Sequence, residues 1–201
     1  YAVRRYAVDQ SLGGNQALFI FRERLREYGM RLILDFIPNH LARDHDWVTD
    51  HPEFFIEGEA SELLNNGGDF FEANGKILAH GKDPFFPPWR DTAQLNLFSS
   101  STRLASANTL DEIAGLCDGV RCDMAMLCLN DVFRQTWGER VGNPPEKEFW
   151  SELIDAIRLT HPNFLFIAEA YWDKETELLA QGFDACYDKV LYDRIIQGDP
   201  D

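Results

Sequence analysis

Three apolar runs constrain the fold more than any other feature of this chain. They are Met30-Arg31-Leu32-Ile33-Leu34-Asp35-Phe36-Ile37-Pro38-Asn39-His40, Gly119-Val120-Arg121-Cys122-Asp123-Met124-Ala125 and Asn163-Phe164-Leu165-Phe166-Ile167-Ala168-Glu169-Ala170. Each reads as a strand, each ends in polar groups, and each is followed by helix-like sequence. That is the pattern of a parallel α/β sheet whose site lies beyond the carboxyl ends of the strands. Within the second run, Arg121 and Asp123 are two residues apart, so both side chains leave the same face. In apolar surroundings neither charge is tolerable without a partner or a substrate. A structural ion pair accounts for any one of these strand ends, but poorly for three in register.

The combination resembles the α-amylase family (glycoside hydrolase family 13). Asp35-Phe36-Ile37-Pro38-Asn39-His40 is similar to the first conserved region, Gly119 to Asp123 to the second, and Ala168-Glu169 to the third. Leu12-Gly13-Gly14 and Pro88-Trp89-Arg90-Asp91-Thr92-Ala93-Gln94-Leu95-Asn96 extend the likeness over nearly the whole chain. Each motif is short, but their order and separations together are specific. The resemblance implies a partial (β/α)8 TIM barrel, about strands 3 to 6, with an irregular inserted subdomain after the first complete strand. On this reading residues 1–40 are a barrel segment, 41–108 the insertion, and 109–201 a second barrel segment.

Size and charge bound the reading. A complete barrel of this type needs about 250 residues, and this chain has 201, starting at Tyr1 and ending at Asp201. The family's fourth region, source of a third carboxylate, is not found, so the chain is expected to be an excerpt that is inactive alone. A formal charge of −15 argues against nucleic acid and against an anionic membrane surface, while a neutral sugar polymer meets no repulsion. No apolar run is long enough to span a bilayer. The four cysteines, Cys117, Cys122, Cys128 and Cys186, have neither zinc-type nor small-domain disulfide spacing. Free, mostly buried thiols are expected, which favours the cytoplasm.

Along the chain, Asn15 is expected to cap a helix with Leu18, Phe21, Leu25 and Tyr28 inward and Gly29 at its end. From Leu41 to Asn108 periodicity is poor, and a long irregular stretch in a compact domain is usually functional. A short helix is predicted over Leu110 to Leu116, and another over Glu146 to Leu159 with Phe149, Trp150, Leu153, Ile154 and Ile157 inward. Asp173 is expected to cap the next helix, which Gly182 stops. A strand from Phe183 to Tyr187 and an amphipathic helix through Ile196 complete the pattern.

The resemblance implies two carboxylates in different roles: Asp123 as nucleophile and Glu169 as general acid/base. A retaining glycosidase holds such groups about 5–5.5 Å apart, and neighbouring strands lie roughly 4.8 Å apart. Arg121 is expected to hold Asp123 ionised. Glu169 has no cation beside it in sequence, and enclosure by aromatics would favour its protonated form. His40 is expected to donate to sugar hydroxyls, Asp35 to brace the site, and Tyr1, in Tyr1-Ala2-Val3-Arg4-Arg5-Tyr6, to stack on a sugar ring. Trp89 and Trp172 are further stacking candidates, with core packing the alternative for each. Asn39 matches a position that binds a structural calcium in many members, and an amide oxygen suits that ion. Met126 and Leu127 stand where the family carries further polar contacts, which weakens the calcium expectation. Asp44, His45 and Asp46 read as a solvated loop rather than a metal site.

The expected function is a retaining glycoside hydrolase acting on α-glucosidic bonds of α-glucans or maltooligosaccharides, with no cofactor required. An α-glucan transferase of the same family is the alternative, because acceptor choice depends on loops. A non-catalytic carbohydrate-binding or partner-binding relative is the third reading, although such relatives usually lose a catalytic carboxylate and both are present here.

Overall fold

The structure is a computed structural model that describes residues 2–65 and 68–198. In chain order its elements are α1 (Gly14–Glu27), β1 (Ile33–Phe36), β2 (His40–Ala42), α2 (Asp46–Asp50), α3 (Ala60–Asn65), β3 (Phe70–Ala73), β4 (Lys76–Ala79), β5 (Thr92–Gln94), α4 (Ser100–Leu116), β6 (Gly119–Cys122), α5 (Asn130–Trp137), α6 (Phe149–Thr160), β7 (Leu165–Ala168), α7 (Glu175–Ala180), β8 (Ala185–Cys186) and α8 (Lys189–Gln197). The main sheet is parallel, in the order β1-β6-β7-β8. Among the described residues it stays open and does not close into a barrel, so the fold is an α/β portion of one.

Strand alternation divides the sheet into two unlike faces. Phe36, Val120, Cys122, Phe166 and Ala168 are buried on one face, under helices that include α6, whose Trp150 ring lies 6.5 Å from Phe36. The opposite face carries Asp35, Arg121 and Ile167, paired across β1, β6 and β7. Gly119 is required where β6 meets its neighbours: a Cβ there would stand 2.7 Å from the Leu165 carbonyl oxygen and 2.9 Å from Ile33 Cδ1.

The five apolar residues expected inward on α6 are all buried. Elsewhere the elements depart from expectation for identifiable reasons. The helix expected from Leu110 begins at Ser100, because its first turns are built of small and polar residues that give no apolar stripe; a buried arginine holds them. Arg103 donates to the carbonyls of Leu97 and Lys147 at 2.7 and 2.9 Å and pairs with Glu152 at 2.8 Å. The stretch after β1 is not irregular throughout. β3 and β4 form a hairpin whose turn, Asn74-Gly75, has φ of 51° and 75°, the left-handed pair that Asn-Gly favours. β2 and β5 form a second antiparallel pair.

On α1, Leu18 and Leu25 pack against the core, but Phe21 and Tyr28 face solvent. Asn15 does not cap this helix. Its Oδ1 accepts the Val8 N–H, and Gly13 occupies the cap position. Asp173 does not cap α7 either: it adopts φ 58°, and Lys174 takes the cap position.

Candidate active site

The site follows from strand register. Cys122 on β6 stands opposite Ala168 on β7, so the next residue of each strand, Asp123 and Glu169, leaves the sheet beside the other. The Arg121 guanidinium lies between them. Nη1 donates to Asp123 Oδ1 at 2.7 Å, and Nη2 lies 2.7 Å from Glu169 Oε2. Asp35, opposite Arg121 on β1, is 3.6 Å from Nη1 and the most exposed of the three carboxylates. One planar cation therefore spans two carboxylates from adjacent strands. This corrects the expectation that Glu169 lacks a cation, because the strand register that delivers it cannot be read along a single run.

Glu169 is enclosed by donors. Its Oε2 accepts the Met124 N–H at 2.8 Å as well as Arg121, and its Oε1 accepts the Tyr171 hydroxyl at 2.7 Å. Met124 sits at φ 44°, a left-handed conformation that costs a methionine of order 1–3 kcal/mol. That turn aims its N–H at the carboxylate.

Burial and the neighbouring Glu169 charge push the Asp123 carboxyl above its ordinary value, and Arg121 opposes this without cancelling it. Arg121 favours the Asp123 carboxylate but divides its charge between two acids. Burial disfavours the Arg121 cation, but the Tyr187 hydroxyl at 3.2 Å from Nε and the surrounding carboxylates raise its basicity beyond the ordinary guanidinium value. Burial and the bond to Glu169 push Tyr171 up to about 12, so it stays protonated.

His40 lies in the β2–β5 pair, 5% exposed, with its ring 5.1 Å from that of Trp89. Burial pushes it down to about 4, so it is neutral at pH 7. Among the described residues it makes no hydrogen bond to Asp123 or Glu169. Trp172 packs edge-on against Phe85 at 4.9 Å. Phe85 and the neighbouring Phe86 are exposed, on a turn whose amides donate to the buried Asp83 carboxylate. Tyr1 lies outside the described residues.

Residues 1–97 match the family described as Alpha amylase, catalytic domain. Over these residues the chain is similar to the α-amylase family. It is 26% identical over 167 residues to an alpha-1,4-glucan:maltose-1-phosphate maltosyltransferase of Arcanobacterium haemolyticum, covering 82% of this chain and 19% of that one. It is also 26% identical over 188 residues to the protein of the same name from Picrophilus torridus, covering 90% and 24%. The chain thus spans roughly a fifth to a quarter of the curated relatives it matches. Among solved structures, the alpha-amylase from H. orenii superposes with a TM-score of 0.69 at 17% identity, over 98% of this chain and 41% of that one. The maltogenic alpha-amylase of Thermotoga neapolitana gives 0.64 at 23% identity, over 97% and 37%. At these identities the structures speak to the fold.

The calcium position that the α-amylase family implies does not fit the residues here. Asn39 is 1% exposed and locked to Gln94: its Oδ1 accepts Gln94 Nε2 at 3.0 Å, and its Nδ2 donates to Gln94 Oε1 at 3.2 Å. Met126 and Leu127 are buried apolar side chains. Among the described residues no three His, Cys, Asp or Glu side chains gather as a metal site. His45 accepts the Trp47 N–H at the start of α2, while Asp44 and Asp46 pair with Arg4 and Arg5. All four cysteines are free. Among the described residues no helix is long and apolar enough to cross a membrane.

Sequence reasoning missed Tyr171, Tyr187 and Gln94. Tyr171 was within reach, because it stands only two residues past Glu169, near enough for its hydroxyl to meet that carboxylate. Gln94 lies inside the Pro88–Asn96 segment that carries part of the family likeness, but its partnership with Asn39 depends on the antiparallel pairing of β2 with β5.

Proposed function

We propose that this chain carries the nucleophile and the general acid/base of an α-glucan-active enzyme that works by double displacement. The observation that carries the reading is the single Arg121 guanidinium bonded to Asp123 and Glu169 at adjacent strand ends. An Asp123 oxygen attacks the anomeric carbon and the glycosidic C–O bond breaks. Glu169 gives its proton to the departing oxygen, leaving a covalent glycosyl ester on Asp123. Glu169, now a carboxylate, takes a proton from the incoming hydroxyl as that oxygen attacks the same carbon and frees Asp123. Trp172 and Phe85, packed edge-on at 4.9 Å, offer aromatic surface suited to the apolar faces of sugar rings. Asp35 steadies Arg121 from β1.

An incoming water gives hydrolysis, and an incoming sugar hydroxyl gives transfer. The names of the two curated relatives favour transfer as the second reading. Incubating the full-length protein with maltooligosaccharides and measuring new reducing ends against longer products separates the two. Asp123→Asn should abolish both, and a variant with undiminished turnover would remove the double-displacement reading.

A further inference from the structure

We propose that Tyr171 is a positioning residue for Glu169, its hydroxyl selecting Oε1 as the oxygen that delivers the proton to the leaving group. The inference rests on the reading of Glu169 as the general acid/base and goes beyond it by specifying which oxygen acts and what holds it.

The argument is a count of lone pairs. A carboxylate oxygen offers about two in-plane acceptor positions. On Oε2 both are taken, by Arg121 Nη2 at 2.7 Å and by the Met124 N–H at 2.8 Å. Neither donor gives way easily, one being a guanidinium and the other a backbone amide fixed by a left-handed turn. A proton placed on Oε2 would face two N–H groups and no substrate. On Oε1 the Tyr171 hydroxyl, at 2.7 Å, is the hydrogen-bond donor among the described residues, and the Asp123 carboxyl lies within hydrogen-bond reach of the Glu169 carboxyl. The catalytic proton therefore resides on Oε1, and Tyr171 fixes the plane in which it points. The groups facing this pair are Arg121 on β6, Asp123 after it, Asp35 on β1 and Tyr187 after β8. Arg121 is bonded to Oε2, and Asp123, Asp35 and the Tyr187 hydroxyl are each turned to Arg121, so the phenol is the donor on Oε1. The raised value of Tyr171 keeps it a donor throughout the working range.

The test is Tyr171→Phe in the full-length protein, which keeps the ring and removes the bond. Pairs of pH profiles are measured, one on a maltooligosaccharide and one on α-maltosyl fluoride, whose leaving group needs little protonation. A donor to the charged form favours that form. Its removal should move the alkaline limb of kcat/KM to higher pH by about half a unit to one unit. On the oligosaccharide kcat should fall about tenfold, with KM nearly unchanged and little loss on the fluoride. Coincident alkaline limbs for Tyr171→Phe and the parent, or equal losses on both substrates, would overturn the assignment. Glu169→Gln separates this failure from a deeper one. If it spares first-turnover release of fluoride while Tyr171→Phe behaves like the parent, only the role of Tyr171 falls; if first-turnover release of the leaving group is lost equally from both substrates, the acid/base reading falls with it.

Discussion

Arg121 sets the balance of charge at the site. It is bonded to two acids, and Asp123 lies above its ordinary carboxylate value despite it, through burial and the neighbouring Glu169 charge. A nucleophile must be ionised, so kcat/KM should fall as pH drops through a value above the unperturbed aspartate range of about 4. Replacing Arg121 with Met removes the one effect that lowers this value, and the acid limb should move upward by about 1–3 units. A pH–rate profile of the full-length variant checks this, and an unmoved limb would show that the bridge is structural. Arg121 and Asp123 were legible as a same-face charged pair because the period of a strand is two. Glu169 was legible at its strand end, but its share in the arginine was not, because that bond crosses between strands.

The strands and helices act through spacing. β6 reaches its neighbours closely only because residue 119 has no side chain. Gly119→Ala should cost about 1–3 kcal/mol, as overpacking does, read by urea unfolding. Activity should fall about 10²-fold because Asp123 shifts against Glu169. Equal stability and activity in the variant would show that β6 and β7 are free to part. The helices with a wide apolar stripe, α6 above all, were readable from periodicity. α4 was not, since its first turns are held by Arg103 reaching carbonyls on two other segments. The Asn74-Gly75 turn of the β3–β4 hairpin was present as a local signal inside a stretch whose overall periodicity is poor.

Across the molecule, buried histidines tie stability to pH. His40 has a folded value of about 4 against an ordinary 6.5, and burial also lowers His45 and His80. The unfolded chain therefore binds protons that the folded chain refuses. Stability is fully present above pH 6.5 and falls toward pH 4, with His40 contributing about 3 kcal/mol of the loss. Asp123 and Glu148, both raised, act in the opposite sense. Comparing urea unfolding of the parent and His40→Gln at pH 7 and 4.5 isolates the His40 share, and identical slopes would refute it. The open sheet has a further consequence, since α1 exposes Phe19, Ile20 and Phe21 and α8 exposes Leu191, Ile195 and Ile196. Residues 1–201 expressed alone should bind a hydrophobic dye and associate with rising concentration in sedimentation, and a dye-silent monomer would count against exposed apolar faces. By itself the sequence determined the parallel α/β character, the family likeness and the two carboxylates, because alternation, apolar runs and short motifs are local properties of the chain. Only the tertiary structure decided that one arginine serves both acids, that Tyr171 closes on Glu169, and that Asn39 is spent on Gln94. The first and last are contacts between residues tens of positions apart, set by the register of paired strands that no local pattern encodes, and the Tyr171 contact depends on how the chain turns after β7.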